Sequence, residues 1–492
     1  MSWTRLLSSA ARGTPTAIAV LCVLTLYAYF GGGGSFDFRR LHGVEGSLYA
    51  DLAEGFSRGH LSMASTPDPR LARLSNPYDP AARGGINYIW DASYLNGRYY
   101  LYFSPLPALI FYMPYRILRG GYPPDSLAGV VFSSWAFLAA VAFTYLALAL
   151  SIAHNARPRQ IPFALWVVFI GCGGVGVFVL AEVRIYEVSI MAGMAMTATW
   201  AYALVRFVQS PTSAKAAWMG WWLALAIAAR PNLGILILVT AGVVIRSVKG
   251  PSTLLKKLAA TCVPLTVIAA AMLWYNTVRF GKPGEFGHAY QLTGISMQGR
   301  AVCRLRSFPE LFRFGNNSMH YVFWPLIVHA DFPFVNLANS KLDPAVSFPG
   351  SEEVVGVAPL VPLTILGAFL ALLFALRVEL PDEGTRAAVY LMAGAWLIMA
   401  GLSTCWYVVV RYELDFMLLM TAATVICIEK GFDLLANLHI RMIPLRVAVA
   451  VLACYSWLVG LLLGFVGREH AFERYHPELF HRIAHWIRIA GI

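Results

Sequence analysis

From Thr16 to residue 466 the chain alternates long apolar runs with short polar loops, and many of the runs reach the roughly 20 residues that a helix needs to cross the hydrocarbon core of a bilayer. That pattern excludes an ordinary soluble fold. A soluble domain carries about a quarter charged residues, whereas this chain is 58% hydrophobic and 13% charged. A surface so apolar needs lipid around it. The expected class is an all-α polytopic membrane protein.

The first apolar segment, Thr16 to Phe30, follows Arg5 and Arg12 as in a signal peptide. No small-residue cleavage motif follows it, so it reads as a retained first span. A later run, Phe103 to Leu118, is interrupted by Pro105, Pro107 and Pro114. Three prolines leave too few backbone donors for a full crossing, and the run is expected to lie at the membrane surface or between spans. Further spans are expected at about 126–152, 162–181, 186–208, 214–229, 232–247, 257–276, 357–377, 386–408, 412–428 and 445–466, about 11 in all.

Basic residues orient these spans, because short cytoplasmic loops hold the Lys and Arg excess. With the N-terminus cytoplasmic, the inner loops contain Arg157 and Arg159, Lys215, the group Arg246, Lys249, Lys256 and Lys257, then Arg377 and Arg386, and finally Lys430, Arg441 and Arg446. Letting the proline-interrupted run cross would move the first and third of these groups outside. The net charge of +12 therefore reports topology. It forms no basic stripe interleaved with aromatics, so nucleic acid is not an expected partner.

Residues 1–466 then form a multispanning domain with two long outer loops, 31–125 and 277–355, and residues 467–492 form an extracytoplasmic tail. In the tail Leu479, Phe480, Ile483, Trp486 and Ile487 recur at helical spacing, which suits either an interfacial amphipathic helix or packing against the second loop. Of the seven cysteines only Cys303 falls clearly within a long polar loop, and no disulfide framework or metal site can be argued from their spacing.

Under this topology one membrane face collects Arg184, Tyr186 and Glu187; Arg230; Asn276 and Arg279; and Arg411, Tyr412, Glu413 and Asp415. A single arginine at a span end commonly snorkels to the interface. Four such clusters beside acids and tyrosines mark a functional site, since ionisable groups at membrane depth are costly. Guanidinium forks match phosphate oxygens, so a phosphate-bearing membrane lipid is the natural partner. The first loop supplies acids. Asn96-Gly97 between aromatic segments signals a tight hairpin, with Asp91 on its entering strand. Glu45, Asp51 and Glu54 accompany Leu48, Leu52 and Phe56, whose spacing predicts a short helix. A carboxylate in a partly dry cleft can act as a general base if its pKa suits, although loop acids are commonly just solvated. The second loop opens with glycine- and proline-fixed turns that carry Glu285, His288 and Tyr290. No ligand pattern for a tightly bound metal is present.

The order of these features resembles the GT-C superfamily of integral membrane glycosyltransferases. Glu45-Gly46-Ser47-Leu48-Tyr49-Ala50-Asp51-Leu52-Ala53 is similar to the D-E-x-x-Y-x-x-x-A start of the first outer loop in lipid A aminoarabinose transferases and protein mannosyltransferases. The segments DASYLNGRYYLYFSPLPAL, RFGKPGEFGHAYQL and RYELDF look like those of a group of bacterial multispanning proteins. Glu45 stands where the better-known members place Asp, and Gly46 replaces the neighbouring Glu, which moves the first choice of base to Asp91, with Glu45 and Asp51 in reserve.

The resemblance implies inverting transfer of a sugar from a polyprenyl-phosphate carrier to a glycan, lipid or protein acceptor outside the plasma membrane. It implies no resident cofactor and is compatible with a weakly bound divalent metal. An outer-loop carboxylate would deprotonate the acceptor hydroxyl. Arg279 and Arg411, with Arg230 and Arg184, would stabilise the leaving phosphate, Tyr412 and Asp415 would orient Arg411 or bind the sugar, and Glu285 and His288 would contact the donor. Competing readings are a lipid or polysaccharide transporter and an inactive assembly partner. A transporter commonly shows inverted repeats and charges near the midplane, neither of which this sequence shows.

Overall fold

The computed structural model describes residues 3–38, 46–155, 161–300, 303, 305–340, 353–377, 382–437 and 442–489. Glu45 lies outside the described residues, as do Arg157, Arg159 and Arg441 of the expected inner loops.

The protein is mostly helical. Helix α1 (Trp3–Gly31) leads into the first outer loop, which holds α2 (Leu48–Ser57), a hairpin of β1 (Ser93–Leu95) and β2 (Arg98–Tyr100), and α3 (Met113–Arg119). Then come α4 (Asp125–Asn155), α5 (Phe163–Cys172), α6 (Gly176–Leu180), α7 (Ile185–Gln209), α8 (Ser213–Ala229), α9 (Leu236–Ser247) and α10 (Pro251–Phe280). The second outer loop carries α11 (Phe308–Phe323) and a small antiparallel sheet of β3 (Leu326–Val328), β4 (Val335–Asn339) and β5 (Glu353–Val354). The chain closes with α12 (Val357–Leu360), α13 (Leu363–Ala375), α14 (Glu383–Ser403), α15 (Leu414–Asn437), α16 (Ile443–Val466), α17 (Ala471–Tyr475) and α18 (Pro477–Ile489).

Among the described residues six helices are long and apolar enough to cross a membrane: α1, α4, α7, α10, α14 and α16. The other expected spans depart from that standard for separate reasons. Residues 162–181 divide into α5 and α6 around Gly173 and Gly174, where a side chain at Gly174 would meet Met417 Sδ at 2.5 Å. Residues 232–247 open with a 3₁₀ turn before the 12-residue α9, and 357–377 divide into α12 and α13. Helix α15 has 24 residues, about 36 Å at 1.5 Å per residue, but carries charges along its length. Each has a partner. Asp415 accepts from Arg230, Glu429 accepts from Trp166 Nε1 at 2.9 Å, and Lys430 Nζ lies 2.7 Å from Asp382, which is how ionisable groups become tolerable at such depth.

Helix α7 is the buried centre, packed by α4, α8 and α15. Close approach depends on small residues, as is usual between membrane helices. A Cβ at Gly460 of α16 would lie 1.9 Å from the Cys172 carbonyl oxygen of α5.

The proline-interrupted run folds as a π-turn at Ala108–Tyr112 continued by α3, too short to cross. The segment 48–56 forms α2, capped by Ser47 Oγ accepting from Ala50 N–H. The tail does not extend away from the body. Phe472 packs with Phe30 and Phe465, and Phe480 of α18 lies 5.2 Å from Phe332 of the second loop. The cysteine reading needs a correction, since Cys303 and Cys405 form a disulfide. Their separation of 102 residues gave no local spacing from which to infer it.

Candidate active site

The first loop is fixed by its hairpin. Asn96 and Gly97 both take positive φ, at 50° and 71°, as a two-residue turn that matches strand twist requires. Asp91 precedes the strand rather than lying on it as expected, in the left-handed region at φ 59°, which Asp tolerates better than most residues. This turn docks against the second loop. Asp91 N–H donates to Leu292 O at 3.0 Å, Leu292 N–H donates to Ala92 O at 2.9 Å, and Ser93 Oγ donates to the Gly287 carbonyl at 2.8 Å. Two loops separated by nearly 200 residues thus form one rim, and Arg83, buried beneath it, donates to the Thr293 carbonyl.

Under that rim lies a cavity of about 640 Å³, within the usual range for a small-molecule site. Asp91 lines it together with Arg184, Arg230, Arg279, Arg411 and Arg468. Five guanidiniums against one carboxylate in the lining suit an anionic ligand, while acids behind the wall, Glu182, Asp415 and Glu187, pair with three of them.

Each guanidinium is held differently. Arg279 Nη1 donates to Leu101 O and Nη2 to Asn276 Oδ1, both at 2.8 Å, while its ring neighbour Tyr275 lies 3.7 Å below. Arg230 Nη2 donates to Asp415 Oδ2 at 2.7 Å, and its buried Nε has no hydrogen-bond partner among the described residues. A buried donor left so is costly and is a natural place for a ligand oxygen. Arg411 is flanked by Glu187 at 3.9 Å and lies 5.0 Å over the Tyr186 ring. Arg184 is at the exposed edge, paired with Glu182 at 2.7 Å.

Among the described residues Asp91 is the one acid that lines the cavity. Tyr186 OH donates to its Oδ2. Burial holds the Asp91 carboxyl above the usual carboxylate range, against the opposing pull of hydrogen bonds from Tyr186 and Thr293 and of the Arg411 charge. A carboxylate of raised pKa is a stronger base once ionised.

Several expected site residues stand elsewhere. Asp51 turns away from the cavity and accepts from Ser65 N–H at 3.0 Å, tying α2 to the following loop. Burial raises its pKa, and the Ser65 hydrogen bonds oppose the shift. Glu285 accepts from Gly287 N–H at 2.7 Å and closes a turn. Asp415 lies behind the cavity and orients Arg230 and Asn232, not Arg411. Tyr412 does line the cavity, between Arg230 and Arg411 at 5.2 and 5.7 Å. His288 lines it too, with burial pushing its imidazole below the usual value and Glu285 opposing. Among the described residues no group of three or more His, Cys, Asp or Glu could hold a metal ion.

Sequence reasoning omits Arg468, Tyr186 as a partner of Asp91, and the rim residues Trp90, Gln291 and Thr293. Arg468 obeys the rule that singled out the other arginines, since it follows the last span on the same face. The rim residues carry no such signal, because only loop docking brings them together. No family model matches the chain, and no curated protein matches it.

Proposed function

We propose that the protein is a membrane glycosyltransferase of the GT-C kind, moving a sugar from a polyprenyl-phosphate carrier to an extracytoplasmic acceptor in the plasma membrane. The observation that carries this is the meeting of one hydrogen-bonded acid, Asp91, with five guanidiniums in a single cavity. In this reading eleven segments cross the bilayer, the N-terminus is cytoplasmic and the C-terminus is outside. The broken pairs α5–α6 and α12–α13, the 3₁₀–α9 segment, α8 and the ion-paired α15 complete the crossings.

The chemistry follows from placement. Asp91 takes the proton of the acceptor hydroxyl as the oxygen attacks the anomeric carbon, and the bond from that carbon to the carrier phosphate breaks. Arg411 and Arg230, with Arg279 and Arg468, stabilise the negative charge that grows on the departing phosphate. Tyr186 fixes the carboxylate through its hydroxyl and lies beneath Arg411, so base and leaving-group clamp are held relative to one another. Glu187 and Asp415 orient the guanidiniums without entering the cavity.

The test is release or transfer of labelled sugar from polyprenyl phosphate by the purified protein in lipid nanodiscs. The reading predicts turnover that is lost in Asp91→Asn. Carrier sugar that remains intact under every acceptor condition, or turnover indifferent to Asp91, overturns it.

A further inference from the structure

The cavity is lined by aromatic side chains as well as guanidiniums, in a way that phosphate binding does not explain. Trp90, the residue immediately before Asp91, lines the cavity yet leaves 47% of its surface exposed. Its indole nonetheless packs against neighbouring groups. A Cβ at Gly294 would meet its Cη2 at 3.3 Å, so the ring lies on a glycine that leaves room for it. Tyr88 stacks beside it with an interplanar angle of 26°, and buried Arg83 lies 4.4 Å over the Tyr88 ring. Phe286, 42% exposed, and Trp406, whose ring lies 5.9 Å from Arg300, line the same cavity. His288, Gln291 and Thr293 bring polar side chains to the same lining.

Holding an indole open to solvent costs the burial it would otherwise gain, and an exposed aromatic face in a cavity that also offers polar side chains is a recognition surface. A pyranose ring has the matching form, with C–H bonds on its faces and hydroxyls around its rim. A peptide fits less well. Extended peptides add to open strand edges, and here β1 is paired with β2 on one side and bridged at Ser93 to Gln291 on the other.

We infer that the acceptor is a carbohydrate, whose receiving sugar ring stacks on Trp90 and thereby presents a hydroxyl to Asp91. The inference rests on the sugar-transfer reading of the same cavity. It names Trp90 as a residue that determines acceptor class, and the adjacency of Trp90 and Asp91 in the chain sets the reach between platform and base.

Binding is read without donor or turnover, so its failure is separable from failure of the transfer reading. Saturation-transfer NMR is recorded on the full chain in nanodiscs with glucan, mannan and galactan tetrasaccharides and with a Ser/Thr-rich decapeptide. The expected result is saturation of ring C–H protons in at least one saccharide. Trp90→Ala should weaken that binding about tenfold, as loss of one stacking face implies. Trp90→Phe should restore most of it, and Trp486→Ala, at an exposed site in α18, should leave it unchanged. Saturation of the peptide alone, of no saccharide, or of saccharides equally in Trp90→Ala overturns the proposal.

Discussion

Asp91→Asn separates the proposed chemistry from a structural role, because the two predict opposite signs for stability. Asn accepts the Tyr186 hydroxyl through its Oδ1 and tolerates the same left-handed backbone, so the turn and its pairing with Leu292 survive. What is lost is a proton acceptor. Removing a general base slows the chemical step about 10²–10⁴-fold, which is roughly 3–5 kcal/mol on the barrier. Stability should move the other way. A carboxyl whose folded-state pKa is raised favours folding when protonated, and that contribution is present at low pH and lost as pH rises through the folded value. At neutral pH ionised Asp91 is therefore a net cost imposed by burial. Its replacement weakens one charge-assisted hydrogen bond by about 1 kcal/mol and removes that burial cost. The melting temperature in nanodiscs should stay level or rise while sugar release falls at least a hundredfold. Release within threefold of the parent chain, or a loss of release accompanied by a drop of several degrees, refutes the assignment of Asp91 as base.

The pH profile gives a second check. Sugar transfer should rise with pH through a value above the ordinary carboxylate range, and Tyr186→Phe, which removes a hydrogen bond to the ionised form, should move that limb to higher pH. Asp415→Ala leaves Arg230 buried without its partner and should destabilise by about 3–5 kcal/mol, read as early thermal unfolding, whereas replacing both residues by apolar ones should recover much of the loss. The Cys303–Cys405 disulfide closes a loop that contributes about 4–5 kcal/mol. Alkylation under non-reducing conditions should leave both cysteines unmodified in protein taken from its native membrane, and Cys405→Ser should lower the melting temperature.

What the sequence disclosed follows from where its signals are local. Asn96-Gly97 specified the hairpin because a two-residue turn needs positive φ at both positions. The helix α2 was readable from Leu48, Leu52 and Phe56, and the arginines at span ends were readable because charge at membrane depth is rare. The meeting of Asp91 with Arg411 was a hypothesis of topology rather than of pattern. What was illegible depended on contacts between distant segments. Asp51 and Glu285 look as acidic as Asp91, yet the first is taken up by Ser65 N–H and the second by Gly287 N–H. The sequence neighbours of Asp415 do not reveal its role, because its partners Arg230 and Asn232 come from the α8–α9 connection. Hydropathy reads 162–181 as one uniform run and does not register its division into α5 and α6 at Gly173-Gly174, where a Cβ at Gly174 would meet Met417 Sδ at 2.5 Å.

The arginine-lined cavity beside Asp91 is proposed to hold the phosphate of a polyprenyl carrier. A cryo-EM structure of the full chain in nanodiscs supplied with polyprenyl phosphate tests it most directly. The account predicts phosphate density within hydrogen-bond reach of Arg411 and Arg230, with the hydrocarbon tail leaving toward the bilayer. Phosphate bound outside the cavity, or a cavity left without lipid at saturating carrier, would contradict it.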